Sequence, residues 1–135
     1  MTDRTSQMER LVGFYVGYAA THLILLAVDS GLFSVLASHP EGANAGDIAV
    51  ELGFDPGYVE NFLRAAFALQ LLDYDAASSL YRLADHMDIL LAQPQDYRYL
   101  ASLARMYILG GRDFSRMQEL LETGEVYTFQ EHDED

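Results

Sequence analysis

NAGDIAVELGFDPGYVENFLRAAFALQLLDYDAASSLYRL, residues 44–83, carries its own punctuation. Asn44 can cap a helix from Ala45 to Leu52, because its side-chain oxygen accepts from an amide of the first turn. The apolar positions Ile48, Ala49 and Leu52 recur at helical spacing before Gly53 ends the element. Phe54-Asp55-Pro56-Gly57 then makes a tight turn in which Asp55 caps the next helix and Pro56 takes its first position, where a missing N–H costs nothing. That helix, Tyr58 to Leu72, shows an apolar stripe of Val59, Phe62, Leu63, Ala66, Leu69 and Leu72. Phe67 and Leu71 widen it, so the helix is expected to be largely buried. Asp73-Tyr74-Asp75 and Leu80-Tyr81-Arg82-Leu83 alternate as short strands around Ala76–Ser79. The outline is a helix-turn-helix followed by a two-stranded wing.

The charge does not suit the DNA reader that this outline suggests. Eight Arg, no Lys and 21 acidic residues give a formal net charge of −13. Nucleic-acid affinity comes largely from cations neutralising phosphates. The helix that would enter the groove offers only Arg64, with Glu60 one turn before it and Asn61 and Gln70 as its other polar residues. A protein-packing module is expected, with no nucleic-acid partner. Seven acids fall between Glu119 and Asp135, and residues 131–135 form an acidic tail of the solvated kind.

Outward from the centre, 135 residues suit one domain able to bury roughly two-thirds of its unfolded surface. Half of the residues are hydrophobic, with nine Tyr and seven Phe, more than one small core needs; the surplus points to an interface with another chain. The absence of Cys removes disulfides and thiolate metal sites and fits a cytoplasmic location.

Leu11 to Val28 is eighteen residues without a formal charge, the lower limit for a membrane span. Gly13, Gly17, Thr21 and His22 lie within it, Glu9-Arg10 precedes it, and no basic flank accompanies it, so burial against protein is expected and no membrane partner. Gly13-x-x-x-Gly17, continued by Ala20, places small residues on one face, where another helix can approach closely. Phe14, Tyr15 and Tyr18 would flank the contact. The crossing helix could belong to this chain or to a second copy. Ser30-Gly31 closes this helix and Leu32 to Ala37 forms a short one ending before His39-Pro40. Further helices are expected from Asp85 to Leu91, from Asp96 to Leu109 with a break at Gly110-Gly111, and from Phe114 to Leu121 with Gly124 as its cap.

No catalytic constellation emerges. There is no Gly-x-Ser-x-Gly, Asp85-His86 with Ser78-Ser79 is only superficially hydrolytic, and Asp73 and Asp75 flank a turn rather than share a proton. His132, Asp133 and Asp135 crowd a terminus without the rigid surroundings that a metal site needs, so neither a metal site nor a catalytic residue is assigned.

Ala27–Phe33 (AVDSGLF), Gly46–Gly53 (GDIAVELG), Phe62–Leu72 (FLRAAFALQLL) and the Tyr81-Arg82-Leu83 strand resemble the N-terminal winged-helix dimerisation domain of S-adenosylmethionine-dependent O-methyltransferases. These include plant phenolic enzymes, the hydroxyindole enzyme and bacterial natural-product tailoring enzymes. The resemblance covers about residues 11–130. It implies a mainly α fold with a small β-hairpin wing, built as an intertwined helical dimer ahead of a doubly wound catalytic domain. It divides the chain into an N-terminal arm (1–10), dimerisation helices with the winged helix (11–91), a helical linker region (92–130) toward that catalytic domain, and the acidic tail (131–135). No two glycines here make the glycine-rich turn needed to approach S-adenosylmethionine, so the chain itself is expected to bind no cofactor and transfer no methyl group. The resemblance also implies that the late helices wall a pocket for a small aromatic or polyketide-like acceptor. Met106, Tyr107, Phe114 and Met117 are the residues in position, and Met and flat aromatics suit such a ligand. A free-standing winged-helix regulator or ligand-binding protein acting through protein contacts is the alternative.

Overall fold

A computed structural model describes residues 2–126. Among these residues, seven α-helices and one hairpin follow in order: α1 (Arg4–Ser30), α2 (Leu32–Ser38), α3 (Ala45–Leu52), α4 (Pro56–Ala68), β1 (Leu72–Asp75), β2 (Leu80–Leu83), α5 (Met87–Ala92), α6 (Ser102–Gly110), a 3-10 helix (Gly111–Arg116) and α7 (Met117–Thr123). The fold is mainly α, a winged helix with a two-stranded wing.

The expected caps form. Asn44 Oδ1 accepts from the Asp47 amide at 2.8 Å, and Asp55 Oδ1 from that of Tyr58 at 3.0 Å. Gly31, Gly53 and Gly124 end their helices at φ 84°, 70° and 70°, where a Cβ would be strained. The strands pair antiparallel, Leu72 with Leu83 and Tyr74 with Tyr81. Ala43 exchanges both backbone hydrogen bonds with Tyr81, at 2.8 and 2.9 Å, and so ties the wing to the start of the helix-turn-helix. Gly42 permits this approach, since a Cβ there would lie 2.9 Å from the Leu80 Cβ.

The core lies where α2, α3, α4 and the wing meet. Phe33, Leu36, Ile48, Leu63 and Leu72 are its largest fully buried side chains, and Ala27, Val59, Ala66, Tyr81 and Leu91 close it. Burying each large apolar side chain contributes about 1.5–3 kcal/mol.

Several expectations give way. Asp3 accepts from the Ser6 amide at 2.8 Å and starts α1 at Arg4, so the uncharged stretch from Leu11 lies inside a longer helix. α4 ends at Ala68 instead of Leu72 because Gln70 turns left-handed (φ 62°). The Leu71 amide then bonds the Ala66 carbonyl at 3.0 Å, which frees Leu72 to begin the strand. α4 is also less buried than its composition suggests: Val59, Leu63 and Ala66 face the core, while Tyr58, Phe67 and Arg64 are exposed. The helix expected from Asp96 begins only at Ser102, since the Asp96 carboxylate bonds the Arg98 amide and guanidinium and holds a turn in place of a first helical turn. At Gly110-Gly111 the α-helix ends as expected, though without a turn. Both keep right-handed backbone, and the chain continues as a 3-10 helix, so the last α-helix starts at Met117.

Candidate functional site

α1 is long and apolar enough, by length and composition, to cross a membrane, and almost none of that apolar stretch is covered by the described residues. Its C-terminal half is anchored: Leu23, Ile24, Ala27 and Val28 pack on the core. At 100° per residue, Gly13, Gly17, Ala20, Ile24 and Ala27 share one azimuth, so the small-residue stripe prolongs the core-facing side of α1 beyond the part that reaches the core. The described residues thus leave the N-terminal half of α1 uncovered. Val12, Phe14, Tyr15, Val16 and Tyr18 are all exposed, Tyr15 at 72%. Ala20 is half-buried. A Cβ placed on Gly13 or Gly17 meets no atom within 4 Å, which rules out, among the described residues, the intrachain crossing left open by the sequence. Around the stripe, the Thr21 hydroxyl donates to the Gly17 carbonyl at 2.8 Å and the Tyr18 and His22 rings meet edge-on at 4.7 Å.

The late helices come back against α1. Arg105 of α6 pairs with Asp29 near the end of α1. Between α1, α5 and α6 lies an apolar groove of about 300 Å³ lined by Thr21, Ile24, Leu90, Leu103, Ala104 and Tyr107. Of the four residues singled out as pocket wall, Tyr107 lines this groove and Met106, Phe114 and Met117 do not; all four are exposed, Phe114 at 73%. A second apolar groove, also about 300 Å³, lies between Leu26 of α1 and Phe54, Tyr58 and Phe62 around the start of α4.

On the helix-turn-helix face the few cations are already engaged. Arg64 donates to Glu60 Oε1 at 3.1 Å, and the Tyr81 hydroxyl donates to the same oxygen at 3.1 Å. Arg82 of the wing lies 3.7 Å from Asp73. At the wing tip, the Ser78 hydroxyl and then the Ala77 amide donate to Asp75 and hold its carboxyl below the ordinary value. Asp73 and Asp75 thus have separate partners and do not share a proton. Neither Asp29–Arg105 nor Glu60–Tyr81 was visible as a pattern in the sequence, for each joins residues of different elements. The 131–135 tail, with His132, lies outside the described residues.

A family model for Rv2258c-like winged HTH domains matches residues 19–93. No curated protein sequence matches the chain. Among solved structures, the fold is similar to that of an O-methyltransferase family protein from Burkholderia thailandensis, at 20% identity and a TM-score of 0.68, over 93% of this chain and 35% of that one. It is similar to human N-acetylserotonin methyltransferase, solved in complex with SAM, at 18% identity and 0.67, over 94% and 38%. PigF, solved with SAH, gives 18% and 0.59 over the same shares, 94% and 38%. At these identities the likeness is one of fold, and the chain spans little more than a third of the length of each of those proteins.

Proposed function

The chain belongs to the Rv2258c-like winged HTH domain family, and on that premise we propose that it is the homodimerising module of an S-adenosylmethionine-dependent O-methyltransferase acting on a small molecule. In this reading α1 packs against α1 and neighbouring helices of a second copy, the late helices wall the acceptor pocket, and methyl transfer belongs to a separate catalytic domain. The module works in the cytoplasm without nucleic acid or membrane.

The observation that carries the reading is the bare stripe of α1. Two glycines in mid-helix each cost about 1 kcal/mol of helix propensity, and nothing among the described residues needs them there. A partner helix crossing at Gly13 and Gly17 would use the room and bury Phe14, Tyr15 and Tyr18 beside it. The surrounding surface is uncharged from Leu11 to Val28, as the centre of an obligate interface is expected to be.

The residues present do not fit S-adenosylmethionine. β1 leads into β2 through a turn, and among the described residues no strand runs through a glycine-rich turn into a helix whose N-terminal amides could approach the ligand. The chain supplies apolar walls, and Tyr107, Ile24 and Leu103 of the groove offer a surface of the kind that holds a flat apolar acceptor.

The test is light scattering over a dilution series, with Gly13→Leu/Gly17→Leu alongside the native chain. Open space at both sites leaves the fold of the variant intact. A native dimer that the variant weakens at least about a hundredfold supports the reading. A folded native monomer at every concentration sinks it.

A further inference from the structure

Gly110 and Gly111 sit where the observed conformation asks for no glycine. Both have right-handed helical backbone, φ −61° and −60°, and a Cβ on either meets no atom within 4 Å. Each nevertheless gives up helix propensity relative to alanine. At the same point the helix changes type: α6 gives way to six residues of 3-10 helix before α7 resumes. Runs of 3-10 helix beyond three or four residues are uncommon, and a mid-helix stretch often marks a hinge. Beyond the junction, the main contacts of residues 111–123 among the described residues are with α6 and with one another. Phe114 and Leu121 stand in solvent, at 73% and 84% exposure.

One turn before the glycines, Tyr107 lines the groove between α1, α5 and α6. Phe114 follows Gly110 by four residues, so its backbone can travel within about 14 Å of that pivot. We propose that Gly110-Gly111 is a hinge and that residues 111–123 form a strap, which swings to lay Phe114 across the mouth of the groove. Glycine has its use here in the second conformation: the backbone must leave the helical region, which costs glycine less than any other residue. Closure removes the Phe114 ring and the groove wall from water together, and this offsets the helical hydrogen bonds given up at the pivot. The inference rests on the methyltransferase reading only for what the closed groove would hold, a small apolar acceptor.

The chain has no Cys, so His22→Cys on α1 and Gln118→Cys on α7, both at exposed positions, give a unique pair of spin labels. The labelled chain is mixed with excess unlabelled protein, so that only intrachain distances are read by pulsed electron resonance. Light scattering on the same samples reports association separately, so failure of dimerisation and failure of the strap are told apart. The expected result is two distance populations, of which the shorter falls about tenfold or more in Gly110→Ala/Gly111→Ala, because alanine favours the helical geometry at both sites. Circular dichroism checks that this variant keeps its fold. A single population in the native hinge, or two populations whose ratio the alanines leave unchanged, overturns the proposal.

Discussion

The Tyr81 hydroxyl donates to Glu60 Oε1 at 3.1 Å and thereby bolts the wing to the helix that a DNA-binding relative would place in the groove. Arg64 donates to that same oxygen, so one carboxylate holds a strand on one side and takes up the cation of α4 on the other. Tyr81 is 4% exposed, its ring packs 4.5 Å from that of Tyr74, and its backbone is paired with Ala43. Wing, recognition helix and the segment before α3 are joined at a single side chain.

Tyr81→Phe should therefore lower stability by about 1 kcal/mol at neutral pH, the ordinary net worth of one hydrogen bond. Burial, and after it the bond to Glu60, push the hydroxyl above its ordinary value of 10.0. The folded chain holds this proton more tightly than the unfolded one. The resulting stability is complete below about pH 10 and is lost as pH rises through the raised folded value. Urea melts of native and variant chains at neutral pH and above pH 10 check this: the gap between them should narrow at high pH. A constant gap would count against it.

Asp96 gives the opposite sign. The Arg98 side chain, then the Arg98 amide, hold its carboxyl at about 2. Stability from this pair is present above the unfolded value near 4 and is lost as pH falls through about 2. Arg98→Ala removes the guanidinium and leaves the amide, so a carboxyl NMR titration should show Asp96 moving up toward about 4. A carboxyl that stays at its native value would show that the turn, not the ion pair, sets it.

The same Asp96 shows why the sequence could be read only in part. Capping residues act within three or four positions, so Asn44, Asp55, Gly31 and Gly53 marked their helices correctly from local pattern alone. Asp96 has the composition of a helix start but bonds Arg98 two residues on, and a turn competes successfully with a helix there. Gln70 is not a residue type that announces a left-handed stop, and the end of α4 was missed with it. The fate of α1 was beyond local pattern altogether. Periodicity says that a helix is apolar, but whether its own chain covers Gly13 and Gly17 depends on how far α5 and α6 reach along it. Of the residues expected as pocket wall along the late helices, Tyr107 alone lines the groove beside α1, and the 3-10 segment that carries Phe114 away from it was not legible from local pattern.

Leu63 is fully buried at the centre of α4, and Leu63→Ala should cost about 2–5 kcal/mol through lost transfer energy and the cavity left behind. Val50, 85% exposed on α3, is the control: Val50→Ala should stay within about 0.5 kcal/mol of the native chain. Since a domain of this size holds about 5–15 kcal/mol in all, the first change should be plain in a urea melt. Equal losses at the two positions would mean that the core is not where α3, α4 and the wing meet.

Duplex DNA should bind worse than about 100 µM at physiological salt. Nonspecific affinity needs several cations free to displace counterions from phosphates. On this face Arg64 is held by Glu60, Arg82 by Asp73, and the formal net charge is −13. Fluorescence anisotropy with a labelled duplex settles it, and micromolar binding with a steep salt dependence would return the winged helix to the DNA readers.

Phe114→Ala should discriminate between a residue that walls a substrate pocket and one that only decorates a helix. In a protein that joins this domain to an S-adenosylmethionine-binding domain, the acceptor KM should rise about tenfold, the usual worth of one lost apolar contact, while the KM for S-adenosylmethionine stays within about twofold. Phe114 is 73% exposed, so its truncation leaves no cavity in the core and the melting temperature should not move by more than about 2 °C. That separation gives the experiment its force. A change in acceptor KM without a change in stability places the role of Phe114 in the acceptor-bound state, whereas unchanged kinetics would remove Phe114 from the pocket wall and leave Tyr107, already in the groove, as the aromatic residue to test next.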